Sequence, residues 1–302
     1  MDIHLLRTLL AVCERGSFSE AAQELSLTQP TVSCHIRSLE EELGTPLFDR
    51  LPRSVELTQA GRELLHHARR IMSLHDSAVD AVRRSSGIVA GHLRIGGSTI
   101  PGEYILPILL SGFKDLHPGV LIQLTIGDTR SVLEEVQAGH LEVGLVGAPP
   151  ESSVLAASPF GGDHLVLIYN PSALPLRPGA GTPLELLLDS GLWLREEGSA
   201  TRECLLRFLA AAGHDLDDLR VLGMLGSTEA IKQAVMAGRG MAVVSDLAVK
   251  REIGDGRLAG VALDDAGAMR RFHFVRHRRR KSSPSVAAFI DYAAGFKTTF
   301  GG

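Results

Sequence analysis

LTQPTVSCHIRSLEEELG, running from Leu27 to Gly44, is the stretch on which the reading of this 302-residue chain turns. Val32, Ile36, Leu39 and Leu43 are spaced four, three and four apart, which puts them on one face of a helix. Thr28 can cap its start, Pro30 falls in the first turn where it is tolerated, and Gly44 can end it. The other face gathers Gln29, Thr31, Ser33, Cys34 and Arg37, while Glu40, Glu41 and Glu42 stand at the far end. This asymmetry suits a helix that enters the major groove of DNA by its N-terminal half. Small groups there allow close approach, Gln and Arg can grip base edges with two hydrogen bonds, and acids are kept from phosphate. The competing interpretation is an ordinary core helix with a solvated face.

The flanking sequence favours DNA. A first helix ends at ERGSF, where Gly16 stops it and Ser17 can cap the next. The second, Ser19 to Leu25, carries Ala21 and Ala22, small residues that let another helix cross closely. Two helices joined by the turn Ser26-Leu27-Thr28 make a helix-turn-helix. TPLFDRLPRSVEL then reads as a two-stranded wing with Arg50 and Arg53 near its tip.

From Thr58 to about Ser86 there is no proline, and Leu64, Ala68, Ile71, His75, Ala78 and Val82 repeat at four and three. Leu65, Met72 and Val79 widen the stripe. A seam of this length predicts pairing with a second helix, against the alternative of a helix packed on its own domain. Beyond Gly91, LRIGG, VLIQLTIG, EVGLVG, HLVLIY, RVLGMLG and MAVVS read as buried strands. Helical patterns near 102–116, 129–138, 201–212, 228–237 and 284–296 separate them. The alternation predicts an α/β domain with mostly parallel sheets, long enough for two lobes. NPSALPLRPGAGTP, Asn170 to Pro183, reads as a surface connection.

Composition narrows the class. The net charge of −4 excludes a globally basic nucleic-acid coat but leaves room for a local basic surface. Cys13, Cys34 and Cys204 are too few and too scattered for a disulfide scaffold or a metal cluster, which suits a reducing cytoplasm. LLAVC, Leu9 to Cys13, lies on a helix face behind Asp2 rather than in an export signal, and no stretch has the length of a membrane span. The basic run RHRRRK, Arg276 to Lys281, is read as a solvated loop.

With these residues in view the chain resembles the LysR-type transcriptional regulators. FSEAAQELSLTQPTVSCHIRSLEEELGTPLFDR (Phe18 to Arg50), LTQAG (Leu57 to Gly61) and LRIGGSTIPGEYILP (Leu93 to Pro107) carry the resemblance. It implies a winged helix-turn-helix over 1–58, a dimerising linker helix over 59–90, and an effector-binding α/β domain over 91–302 similar to periplasmic binding proteins. Within that domain one lobe is expected at about 91–161 and 269–302, the other at about 162–268. By match of motif, Gln29, Pro30, Thr31, Ser33, Cys34 and Arg37 line the DNA face, with Arg53 in the wing. Where the family often has a basic or longer polar residue, this chain has Cys34, whose thiol cannot neutralise a phosphate. A redox role for it lacks an activating partner nearby in sequence.

Hydroxyls recur where strands give way to helices: Ser98 and Thr99, Thr129, Ser199 and Thr201, and Ser227. Helix N-termini expose free N–H groups and partial positive charge, so several facing one crevice make an anion site. The resemblance implies that these residues line the effector cleft, and Arg202 is a candidate positive group. GSTIPGEYILP, LREEGSATR and GSTEAIKQAVMAG look most like the branch linked to sulfur and selenium metabolism. The expected effector is therefore sulfite, sulfate or a small carboxylate. The partners expected are double-stranded DNA with an interrupted inverted repeat, a second copy in a homodimer or homotetramer, and RNA polymerase as a further candidate, with no cofactor, metal or membrane. The alternative is a small-molecule-binding protein or α/β enzyme with an accessory DNA-binding segment, but no GxSxG, Walker loop, HExxH or paired-carboxylate pattern equips it for catalysis.

Overall fold

The computed structural model describes residues 1–51, 54–83, 89–175, 181–263 and 269–296. The chain divides into two compact units, Met1–Gly87 with Ala138–His140, and Ile88–Gln137 with Leu141–Gly302.

In the first unit, α1 (Ile3–Arg15), α2 (Phe18–Glu24) and α3 (Gln29–Leu43) are followed by strands β1 (Phe48–Leu51) and β2 (Ser54–Leu57) and helix α4 (Gln59–Arg83). Gly16 ends α1 at φ 63°, and Ser17 accepts from the Glu20 N–H to open α2. Thr28 does the same for α3 through the Thr31 N–H, and Gly44 closes it at φ 68°. Leu6, Leu9, Val12, Ala21, Ala22, Val32, Ile36 and Leu39 form the core. β1 and β2 pair antiparallel from Phe48 opposite Leu57 to Leu51 opposite Ser54. The long helix ends its described part at Arg83, so Ser85 and Ser86 lie outside the described residues.

The seam of α4 packs in part on its own unit, the alternative to pairing with a second helix. Its first half is spent inside the unit: Ala68 and Met72 are buried in the core, with Leu64 and Ile71 packed against it. Further along, Leu74 is 72% exposed and Ala78 is exposed.

In the second unit the strands are β3 (Gly91–Ser98), β4 (Val120–Gly127), β5 (Val143–Val146), β6 (Leu155–Tyr169), β7 (Gly191–Arg195), β8 (Arg220–Leu225), β9 (Met241–Ser245), β10 (Ala259–Ala262) and β11 (Met269–His277). Between them lie α5 (Leu106–Leu116), α6 (Thr129–Ala138), α7 (Pro183–Asp189), α8 (Ala200–Ala211), α9 (Thr228–Met236) and α10 (Lys250–Gly254), with α11 (Pro284–Ala294) last. The order across the sheet is β4-β3-β5-β11-β6-β9-β7-β8, and β10 pairs with β6.

The sheet is mixed, which corrects the expectation of mostly parallel strands. β3 is parallel to β4 and β5, and β7 to β8 and β9. β6 and β11 are antiparallel to each other and to their other partners. β6 is long enough to serve both halves. Leu155 to His164 lies against β11, and Leu165 to Ile168 against β9. One core forms around Leu93, Ile95, Phe113, Phe272 and Phe289, and a second around Leu165, Leu187, Leu192, Leu205 and Leu209.

The turn from β3 into α5 is unusual. Pro101–Ile105 form a π-helical turn, a rare form frequent at functional sites. A Cβ on Gly97 would lie 2.5 Å from the Gly102 Cα, so a glycine at 97 lets the turn close onto the strand end.

Candidate functional site

On α3, Gln29, Pro30, Cys34 and Arg37 are exposed, and Thr31 and Ser33 half-buried. Gln29 Nε2 donates to Ser33 Oγ at 3.0 Å, which pre-orders both side chains one turn apart. The acids at the far end do structural work that the sequence reading missed. Glu40 Oε1 accepts from the N–H groups of Leu47 (2.8 Å) and Phe48 (3.4 Å), tying the wing to α3, and Glu42 meets the N-terminal amine at 2.6 Å. Thr8 donates to the His4 carbonyl and lies 2.9 Å from His35 Nδ1, joining α1 to α3. Arg53 lies outside the described residues. Cys34 is exposed, whereas burial pushes the Cys13 thiol up to about 11, which makes Cys13 a poor nucleophile at neutral pH.

In the second unit the predicted hydroxyls fall into distinct environments. Ser98 is buried at the end of β3. Thr129 opens α6 and is buried, yet its Oγ1 has no hydrogen-bond partner. Ser199 stands at the N-cap of α8, also buried, and its side chain makes no capping bond. Gly198, the residue before Ser199, approaches the start of α6: at φ 89° its missing Cβ would sit 3.2 Å from Asp128 Oδ1. Ser227 differs, since its hydroxyl accepts from the Ala230 N–H and is spent on its own helix.

The cations that meet these hydroxyls are ones the sequence reading did not pick. Arg195 ends β7 and is buried. It donates through Nη2 to Thr99 Oγ1 (3.0 Å) and through Nη1 to Thr228 Oγ1 (2.7 Å), so it spans from β7 to the first half of the unit. Arg270 on β11 donates to Thr201 Oγ1 at 2.8 Å and forms a two-pronged ion pair with buried Asp163 on β6. Arg202, the cation expected, instead reaches the Arg195 carbonyl (3.4 Å), Met224 Sδ (3.3 Å) and Glu197 (3.9 Å). The signal for Arg195 was present in GLWLREEG, where an arginine closes an apolar strand; nothing local marks Arg270. The run Arg276–Lys281 is only partly a loop, because Arg276 and His277 complete β11 and Arg278 holds the carbonyls of Ser153 and Leu155.

A helix-turn-helix unit with a wing, followed by a two-halved α/β unit with uncommitted buried hydroxyls, defines a DNA-binding regulator with a ligand domain. Residues 3–62 match the family described as bacterial regulatory helix-turn-helix protein, lysR family, and residues 86–296 match the LysR substrate binding domain. The chain belongs to the LysR family. It is 32% identical to the RuBisCO operon transcriptional regulator of Allochromatium vinosum over 97% of this chain and 95% of that protein. CbnR, a LysR family transcriptional regulator, shares its fold at a TM-score of 0.74 and 23% identity, covering 98% of this chain and 99% of its own; it has also been solved with its target DNA. The regulatory domain of CcmR from Synechocystis, in complex with 2-PG, covers 70% of this chain and 99% of its own at 27% identity and a TM-score of 0.63. The chain is a LysR-type transcriptional regulator with an effector-binding domain, not an enzyme. The resemblance to a sulfur and selenium branch has no counterpart among these relatives, which include a regulator of carbon fixation. Among the described residues no helix is long and apolar enough to cross a membrane.

Proposed function

We propose that this regulator binds an interrupted inverted repeat in cytoplasmic DNA and changes its output when a small anion enters the cleft of its second unit. Gln29, Pro30, Thr31, Ser33, Cys34 and Arg37 read the DNA, with Arg53 in the wing. Ser98, Thr99, Thr129, Ser199 and Thr201 receive the anion, with Arg195 in the role first given to Arg202. The carrying observation is the uncommitted hydrogen-bonding capacity of two buried hydroxyls at neighbouring helix starts. Buried hydroxyls normally have partners, but Thr129 Oγ1 has none and Ser199 makes no cap bond, and both sit at helix N-termini that approach each other at Gly198. Free hydroxyls at helix starts suit a carboxylate or phosphate, which would have to bind beside Asp128, whose Oδ1 already caps α6 through the Ser131 N–H at 3.0 Å. CcmR holding 2-PG, 2-phosphoglycolate, supports a phosphorylated carboxylate; sulfite or sulfate is the rival class. Calorimetry with 2-phosphoglycolate, sulfite and sulfate tests the reading against a Thr129→Ala, Ser199→Ala double variant. Each lost hydroxyl is expected to weaken the bound anion by about 0.5–1.5 kcal/mol. Equal affinity in both proteins would move the site elsewhere.

The same reading gives the chain two self-association surfaces and hence a dimer or tetramer, with RNA polymerase as a further partner. One is the outward part of α4 around Leu74 and Ala78. The other joins the two end strands of the sheet, where Leu121 and Ile126 on β4 and Leu222 and Met224 on β8 are exposed. Leu74→Asp would set an unpaired charge in an apolar contact and is expected to weaken self-association at least about tenfold. Light scattering across a dilution series measures this. An unaltered dissociation curve would remove α4 from the interface.

A further inference from the structure

Two buried arginines meet the cleft hydroxyls, and their carboxylate partners differ. Arg270 is matched by Asp163, whose side chain is 0% exposed and comes from another strand, so that pair ties β6 to β11. Arg195 is 3% exposed, but its partner Glu196 is the next residue in the chain and is 28% exposed. A pair between adjacent residues joins no two elements. Yet it is well formed, with Arg195 Nε donating to Glu196 Oε2 at 2.7 Å and Nη2 to Oε1 at 2.6 Å. These two donors form the side-on fork with which an arginine grips both oxygens of a carboxylate or phosphate. The remaining Nη1 contact goes to Thr228, and Nη2 also reaches Thr99. Glu103, whose carboxyl is pushed up by burial against the pull of Arg195, lies near the same cation.

Resting on the anionic-effector reading above, we propose that Glu196 is an internal stand-in for the effector's anionic group. In the free protein it occupies the fork of Arg195 and neutralises a cation that water cannot reach. An entering carboxylate or phosphate takes over the fork, and Glu196 turns out to the solvent it already touches. Because the ligand gains only the difference between its own contacts and those of Glu196, the exchange sets the concentration at which the regulator responds. It also favours anions that offer two oxygens over those that offer one. Thr99, reached by the same guanidinium from the other half of the unit, is held throughout, so the exchange leaves the span across the cleft in place.

The test titrates the full-length protein with 2-phosphoglycolate and separately with inorganic sulfate, by calorimetry and by the fluorescence of Trp193, the single tryptophan, two residues from Arg195. Glu196→Gln keeps the side-chain length and removes the charge. It is expected to bind the anion that the wild type binds about ten- to a hundredfold more tightly, the range spanned by a charge-assisted hydrogen bond. Glu197→Gln, at a neighbouring site that is 79% exposed, makes the same change in net charge and is expected to leave affinity unaltered. Glu196→Ala should follow Glu196→Gln, and a circular dichroism melt reports folding of each variant. Unchanged or weaker binding in folded Glu196→Gln and Glu196→Ala overturns the proposal, as does an equal gain in Glu197→Gln. If neither the wild type nor Glu196→Gln takes up any of these anions, the anionic-effector reading itself falls, and this inference with it.

Discussion

Replacing Asp163 by Ala is expected to cost the effector-binding unit about 3–5 kcal/mol, the usual penalty for leaving a buried charge without its partner. Asp163 and Arg270 are 2% and 4% exposed, and the aspartate takes two of the arginine's hydrogen bonds. What would remain for the cation is one hydroxyl, from Thr201, and the face of Phe272 at 5.3 Å. For a unit of this size each kcal/mol corresponds to about 2–4 °C, so the melting temperature should fall by roughly 6–20 °C. Asp163→Leu combined with Arg270→Met is expected to recover most of that loss, because a packed apolar pair often matches a buried ion pair. Calorimetric melts of the three proteins decide the matter. A fall under about 1 kcal/mol in the single variant would mean that water reaches Arg270.

The second large effect lies on α3. Simultaneous replacement of Gln29, Ser33 and Arg37 by Ala should abolish specific operator binding while leaving the unit folded, since none of the three is buried. A side chain that grips a base edge contributes about 1–3 kcal/mol of discrimination. Gln29 and Ser33 are bonded to each other, so their losses will not simply add, and the combined effect is expected at about 3–6 kcal/mol, or roughly a hundred- to ten-thousandfold. Fluorescence anisotropy at one fixed salt concentration measures it. Arg37→Ala alone separates two roles: relaxed preference at one base pair marks a base contact, and a salt slope smaller by about one marks a phosphate contact. Undiminished binding of the folded triple variant would remove α3 from the DNA.

The parts of the molecule legible in the sequence were those whose causes are local. Thr28, Pro30 and Gly44 delimit α3 because capping acts within one turn, and α6 fell on 129–138 because its apolar period is unbroken. β11 was missed because MRRFHFVRH hides buried Phe272, Phe274 and Val275 among charges. α7 was hidden at the end of a proline-rich connection, although Thr182 and Glu185 form a capping box there. The candidate hydroxyls were legible as helix-start residues. Their cationic partners were not: Arg195 meets Thr99 from 96 positions away and Arg270 meets Thr201 from 69. Periodicity and capping carry no information over such separations. The seam of α4 illustrates a further limit, since a heptad-like stripe does not reveal whether its partner belongs to the same copy or another.

The two halves of the effector-binding unit are joined through the long strand β6, laid antiparallel against β11, with a register shift where Arg271–His273 faces Gly162–Pro159. Hydrogen-bonded strands resist stretching and sliding but yield to torsion, and irregular pairing increases local twist. A joint of this kind admits small rotation about that strand pair more readily than separation of the halves. A rotation of a few degrees moves distant atoms much more than near ones, so the outer edges of the sheet, β4 and β8, have the longest lever arms. If the proposed site takes up its anion, the response would therefore be largest at the rim.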